Sequence, residues 1–364
     1  MTTIYIIRHA EAEGNIYRRI HGHYDGHITP NGRLQIEALR RRFTEVSVDA
    51  VYSSDLTRAY QTALAIAEPK RLTVTKLPEL REINMGDWED TCWGYWETFE
   101  PDRLADYNFA PLKWYVNGCE SISDTQKRMI AALRDIAARH DGQSAAVVTH
   151  GVAIRAVLCF VRGITLDNVN EISYCDNTAV AKLLIAGSET RLEYMNDNSH
   201  LPEEISTFAR QNWWKNKSAT DDRNLYFEPI PFNEAGRKYL ADAYADSGLE
   251  YSPSSEKYIR PLYAMRYGKE CGAAVLDAVK YAGEGAGSVE LFYLAPEFRG
   301  LGYAVQLLGA ATSEFRGAGL NKIRMFTPEN NASAVKFCAR AGFTRVSADR
   351  MINGMRNFAY EFNI

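Results

Sequence analysis

Two short apolar runs in this 364-residue chain each end on a histidine: IYII at 4–7 leads into Arg8 and His9, and SAAVVTH at 144–150 closes on His150. β-Branched and aromatic side chains make the first run read as a short buried strand rather than a helix. Ligands bind at the carboxyl ends of parallel strands, so two such histidines converge on one crevice if their strands are neighbours. Arg8 adjoins His9, and Arg58 follows the run DAVYSS in SSDLTRAYQTA. A guanidinium offers a planar fork of donors that matches phosphate oxygens, and a neutral imidazole is a competent nucleophile toward phosphorus. Together these residues point to phosphate chemistry.

A second constellation lies far downstream. SVELFYLAPEFRGLGYAVQLLGAATSEF, residues 288–315, reads as a strand, a glycine-rich turn and a helix with apolar spacing at Val305, Leu308 and Ala311. Gly300 and Gly302 let the backbone approach an anion, and a helix amino terminus presents unpaired N–H groups toward it. NNASAVKFCARAGF, at 330–343, reads as an asparagine-led helix closed by a capping glycine.

The elements that must position these groups follow an alternating pattern. Strand-like IYII and DAVYSS (49–54) are each followed by helical stretches, NGRLQIEALRRRF and LTRAYQTALAIAE, and the helix SISDTQKRMIAALRDIAARH precedes SAAVVTH. Such alternation implies βαβ units and an α/β fold. From about 84 to 117 the periodicity gives way to an aromatic insertion, which reads either as a lid over the site or as rings packed on themselves. RQNWWKNKSATDDR then reads as a linker at 207–223, separating a domain at 1–206 from one at 224–364 that opens on NLYFEPI and FNEAGRKYLADAYAD.

Composition excludes several classes. Apolar residues make up 46% and charged residues 24%, and the net charge of −4 gives no reason to expect nucleic acid as a partner. Six scattered cysteines without a CxxC pair argue against a zinc site or a disulfide framework and favour reduced thiols in the cytoplasm. No run of eighteen apolar residues suggests a membrane span. His21, His23 and His27 invite a metal reading, but no nearby carboxylate or cysteine spacing completes a ligand set, and no metal is expected.

RHAEAEGN, SSDLTRAYQTA, LREINMGDWE and VVTHGVAIR, in that order, resemble the histidine phosphatase superfamily in its phosphoglycerate-mutase-like branch, over about residues 1–205. The resemblance implies a doubly wound α/β/α fold and a phosphohistidine intermediate, with no cofactor. It makes His9 the nucleophile, Arg8, Arg58 and His150 the phosphate pocket, and Glu82 the proton donor. Asn15 and Gly22 match residues whose side chain and backbone contact the phosphoryl group, and Glu120 and Ser121 match a further signature. Ala10, Ala12 and His27 depart from common residues of the family. Cofactor-dependent mutases carry a longer, basic insertion after the proton donor. The acidic and aromatic GDWEDTCWGYWETFEPDR instead favours a phosphatase of a small phosphorylated metabolite, with mutase activity as the alternative.

Residues 224–364 resemble the GNAT acetyltransferases, a mixed α/β fold. The resemblance implies that Arg299, Gly300, Leu301, Gly302, Tyr303 and Ala304 cradle the pyrophosphate of acetyl-CoA, that Asn331 lies near the CoA arm, and that an amine accepts the acetyl group. Glu290 is the candidate base. Glu297 stands where relatives often carry Gln or Arg, and Cys338 where a tyrosine often protonates the departing thiolate. A thiolate leaves near the pKa of cysteine, about 8.5, so water can serve in its place. A non-catalytic CoA-sensing module is the alternative.

Overall fold

A computed structural model describes residues 1–211, 224–252, 256, 259–352 and 354–364. The expected linker falls mainly at 212–223, outside the described residues. The chain gathers into two compact units; the second takes in Ile16–Arg19 and Cys92–Thr98 together with the carboxy-terminal part.

The amino-terminal part runs β1 (Thr2–Arg8), α1 (Glu13–Tyr17), α2 (Pro30–Arg42), β2 (Ala50–Ser53), α3 (Thr57–Ala67), β3 (Val74–Lys76), α4 (Trp93–Phe99), α5 (Pro101–Phe109) and α6 (Ile122–Arg139). It continues through β4 (Ser144–Thr149), α7 (Gly151–Arg162), β5 (Val180–Ala186), β6 (Glu189–Asp197) and α8 (Thr207–Arg210). Six strands form one sheet in the order β3-β2-β4-β1-β5-β6. β3, β2, β4 and β1 pair in parallel, and β5 and β6 extend the sheet antiparallel. β1 and β4 are therefore neighbours, with Arg8 paired to Thr149, and the residues that follow, His9 and His150, leave the sheet side by side.

Strand alternation builds the layers. Ile7 of β1 joins Val51, Val148, Leu39, Phe43, Ala59, Ala63 and Ile66 in one core under α2 and α3. Met129, Leu133 and Ile136 of α6 and Ile154 and Val157 of α7 bury the opposite helical layer. Both faces of the parallel strands are covered, as a doubly wound sheet requires. The segment expected to open the linker begins with α8, where Thr207 Oγ1 donates to Glu11 Oε2 at 2.9 Å and accepts from Gln35 Nε2 at 2.9 Å.

The second unit carries β7 (Tyr226–Pro229), α9 (Glu234–Asp246), β8 (Ile259–Arg266), β9 (Lys269–Tyr281), β10 (Ala286–Leu294), α10 (Tyr303–Gly317), β11 (Lys322–Pro328), α11 (Ala332–Ala341), β12 (Thr344–Ile352) and β13 (Met355–Asn363). The sheet order is β12-β13-β11-β10-β9-β8-β7, with β10 and β11 its parallel pair. Leu276, Val289, Leu307, Leu308, Phe315 and Ile323 form the core under α10, and Leu240, Ala243, Val275 and Leu291 form a second one under α9. Val289 and Leu291 belong to opposite faces because Glu290 is an extra residue in the ladder: Val289 pairs with Leu276 and Leu291 with Val275. A bulge of this kind kinks the strand and re-aims its side chains.

Candidate active site

His9 follows β1 and is 6% exposed. Its Nδ1 lies 2.7 Å from Ala10 O, and a carbonyl only accepts, so Nδ1 carries the proton and Nε2 the lone pair. Asn177 Nδ2 donates to His9 O at 2.9 Å, and Ala10 N–H to Thr62 Oγ1 at 2.9 Å, fixing the backbone on both sides of the ring. His150, wholly buried, has its ring centroid 5.1 Å from that of His9 and no hydrogen-bond partner for either nitrogen. Burial, reinforced by the Arg58 charge, pushes both imidazoles well below their ordinary pKa, so both are neutral.

Arg58 sits in the first turn of α3, 1% exposed, and donates to Tyr24 O at 2.7 Å, Gly22 O at 2.7 Å and His21 O at 3.3 Å. Burial lowers its pKa to about 10, which leaves it charged at neutral pH. Asp25 caps the same helix from outside, accepting from Thr57 N and Thr57 Oγ1 at 2.7 Å each, where Leu56 offers no side-chain cap. Arg8 Nη1 donates to Cys175 O at 2.6 Å, and its buried Nε has no partner. Two fixed cations beside two neutral imidazoles, with buried polar atoms left unpaired, suit a phosphoryl dianion.

Glu82 lies in the loop after β3. Its Oε1 accepts from Ile83 N at 3.1 Å and Ala153 N at 2.9 Å, and its Oε2 from Val152 N at 3.0 Å. The carboxyl thus docks on the first turn of α7, the helix that His150 leads into. Asn15 Oδ1 accepts from Ala12 N at 2.9 Å and Asn177 Nδ2 at 3.3 Å, which leaves its NH2 group for an anion. Gly22 has both backbone groups engaged, its N–H on Glu89 Oε2 at 3.1 Å and its carbonyl on Arg58. A Cβ there would stand 2.4 Å from Glu89 Oε1 and from Ile83 O, so close packing demands glycine.

Sequence reasoning missed Asn177, which belongs to a turn 168 positions from His9, and Glu89, whose carboxylate gathers four N–H groups: His23 at 2.6 Å, Tyr24 at 2.8 Å, Met85 at 2.9 Å and Gly22. Only the acidic residue in GDWE hinted at the latter. The aromatic insertion divides. Trp88, Tyr107 and Trp114 pack edge to face or tilted with centroids 5.1–5.8 Å apart, while Trp93, Tyr95 and Trp96 belong to the second unit. Among the described residues no group of three or more His, Cys, Asp or Glu side chains is placed to hold a metal ion.

In the second unit, β10 and β11 pair only from Ala286–Val289 against Lys322–Met325 and then part, freeing the main chain on the facing edges just before the glycine turn. Gly300 (φ +76°) and Gly302 (φ +87°) adopt the left-handed region, and Gly302 caps α10 without any side-chain bond to its first N–H groups. Open amides at a helix start fit a pyrophosphate. Arg299 is tied to Leu294 O at 2.8 Å and Asp246 Oδ2 at 2.6 Å, bracing the turn, while Leu301 is exposed and Tyr303 buried, with Ala304 in the first turn of α10. Asn331 caps α11, its Oδ1 accepting from Ala334 N at 3.0 Å. Glu290, on the bulge, accepts from Lys280 Nζ at 2.8 Å and Ser288 Oγ at 2.6 Å. Cys338 is 1% exposed and part of the core, with Thr327 Oγ1 3.9 Å from its sulfur.

Residues 4–198 match the histidine phosphatase superfamily (branch 1), and residues 224–343 match the acetyltransferase (GNAT) family. The chain belongs to the histidine phosphatase superfamily and carries a GNAT domain in the same polypeptide. It is 30% identical over 203 residues to phosphoserine phosphatase 1 of Hydrogenobacter thermophilus, covering 56% of this chain and 96% of that protein. It is also 30% identical over 204 residues to phosphoglycerate mutase-like protein 4 of Arabidopsis thaliana, covering 55% and 87%. Among solved structures, YhfR of Bacillus stearothermophilus is similar with a TM-score of 0.53 and 29% identity, over 55% of this chain and 99% of that one.

Proposed function

We propose that the amino-terminal domain, residues 1–206, hydrolyses a small phosphomonoester through a phosphohistidine on His9. The observation that carries this is the buried His9 ring, held by Ala10 O so that Nε2 keeps its lone pair beside Arg8, Arg58 and an unpartnered His150. His9 Nε2 attacks phosphorus and the ester oxygen departs, taking a proton from Glu82. Charge developing on the equatorial oxygens meets Arg8, Arg58, the Asn15 amide and His150, which are already in place and need no reorganisation. Water then attacks phosphorus, Glu82 takes its proton, and inorganic phosphate leaves with the P–N bond broken. Nδ1 keeps its proton on Ala10 O throughout.

The resemblance to a phosphoserine phosphatase supports an amino-acid phosphate as substrate, with a sugar phosphate as the second small phosphomonoester to test. Turnover of a panel containing both, by wild type and by His9→Ala, tests the assignment: hydrolysis should vanish in the variant. Rapid isomerisation of 3-phosphoglycerate in the presence of its bisphosphorylated primer would favour a mutase instead.

For residues 224–364 the same reading assigns acetyl-CoA binding and acetyl transfer to an amine. Acetyl-CoA would supply a thioester whose acyl group an unprotonated amine attacks. The N–H groups from Gly300 to Ala304 would hold the pyrophosphate in the turn that Arg299 opens, Asn331 would lie near the CoA arm, and Glu290 would take the amine proton once Lys280 releases it. Binding of acetyl-CoA with CoA released on addition of amines is the expected result, and binding without release would favour a sensing role. All six cysteines are free thiols, five of them buried, which supports a cytoplasmic location. No helix among the described residues is long and apolar enough to cross a membrane.

A further inference from the structure

We propose that Arg128, on α6, is the positioning residue for the proton donor, acting as a clamp on the backbone of the loop that carries Glu82. Residues 79–84 contain little regular structure beyond the single turn Pro78–Leu80, so neither a strand ladder nor a helix fixes Glu82. The guanidinium does so instead. Nη1 donates to Glu79 O at 2.8 Å and Arg81 O at 2.7 Å, and Nη2 donates to Glu82 O at 2.8 Å. Nε and Nη2 also donate to the two oxygens of Glu120 at 2.6 and 2.8 Å. All five N–H donors of the side chain are thereby used, three of them on carbonyls of one four-residue stretch.

Glu120 completes the device. Its carboxylate orients the guanidinium bidentately, its N–H donates to Asn84 O at 2.9 Å, and Asn84 N–H donates back to Glu120 Oε2 at 3.4 Å. The carboxylate of Glu82 rests on the start of α7, while its carbonyl is held from α6 and by His23 Nε2 at 2.9 Å. The donor is therefore fixed at both ends by elements of the rigid scaffold. Lysine, with three donors on a flexible stem, does not reproduce this fork. Because a displacement near 1 Å costs roughly 10²-fold in rate, such a clamp is required of a loop that delivers a proton to one atom.

The inference rests on the phosphohistidine reading of Glu82, and leaving-group chemistry separates the two. An aryl phosphate expels a stabilised phenolate and needs little help from an acid, whereas an alkyl phosphate expels an alkoxide and depends on it. kcat/KM is measured for p-nitrophenyl phosphate and for an alkyl phosphate hydrolysed by the wild type, with Glu82→Gln, Arg128→Gln and Arg128→Lys. Glu82→Gln should lose roughly 10²–10⁴-fold on the alkyl ester and under about tenfold on the aryl ester. Arg128→Gln should show the same split, and Arg128→Lys a smaller split of the same sign. Equal losses of Arg128→Gln on both esters, or no loss on either, with the split intact in Glu82→Gln, overturn the positioning role alone. No split in Glu82→Gln overturns the proton-donor assignment and the clamp with it.

Discussion

Replacing Glu89 by glutamine should weaken both the fold around the proposed phosphate pocket and its affinity for phosphate. Each carboxylate oxygen accepts two backbone N–H groups: Oε1 from His23 and Met85, Oε2 from Gly22 and Tyr24. An amide NH2 at either position strands two of the four donors and sets further donors against them. A stranded buried polar group costs about 1–3 kcal/mol, so the substitution should cost about 2–6 kcal/mol, toward the lower end because Glu89 is half-buried. That is a large share of the 5–15 kcal/mol typical of a domain. The carbonyls of His21, Gly22 and Tyr24 also anchor Arg58, so movement of this loop displaces the guanidinium proposed to bind phosphate. Urea unfolding followed by tryptophan fluorescence should show a lower midpoint, and the inhibition constant for inorganic phosphate should rise at least about tenfold, which corresponds to 1.4 kcal/mol. An unchanged midpoint together with unchanged phosphate inhibition would refute the role given to Glu89.

The imidazoles of His9 and His150 have folded pKa values well below the ordinary 6.5, chiefly from burial and then from Arg58. The proposed nucleophile, His9, therefore stays unprotonated through pH 6, and kcat/KM, corrected for the substrate's second ionisation near pH 6, should show no acid limb between pH 6 and 7. A histidine limb in that window would contradict the buried site. The same depressed values, with His200 brought down to about 4 mainly by burial, mean that the unfolded chain takes up protons first as pH falls. Their contribution to stability is complete above about pH 6.5 and is lost on the way to the folded values, so Tm should fall between pH 7 and 5. Gly302→Ala forces a residue with a Cβ to φ +87°, at a cost of about 1–3 kcal/mol although nothing lies within 4 Å of the added atom. Calorimetry should find acetyl-CoA binding at least about tenfold weaker, with phosphatase activity unchanged.

The strand ends were legible because period and chemistry coincide there: an apolar run followed by a histidine places the imidazole at the rim of a parallel sheet, and β1 and β4 are neighbours. The glycines of the second unit were legible for a similar reason, since Gly300 and Gly302 punctuate a strand and a helix and both adopt positive φ. The partners that fix these groups were not. Gly22 reads as a direct phosphate contact, yet its N–H goes to Glu89, 67 positions away, a pairing set by tertiary packing alone. Arg128 looks like one more charged residue on an amphipathic helix until the 79–84 loop is laid against it. The Glu290 bulge was equally hidden, because one unpaired residue in a ladder leaves no trace in strand alternation.

The covalent step itself is the most direct test. Wild type and His9→Ala are mixed with a phosphomonoester labelled in phosphorus, quenched in alkali within a turnover, and mapped by peptide. One alkali-stable, acid-labile phosphoryl group per chain, on the peptide containing residue 9 and absent from the variant, is the result predicted. Label on another residue, or undiminished hydrolysis by His9→Ala, would contradict the phosphohistidine route.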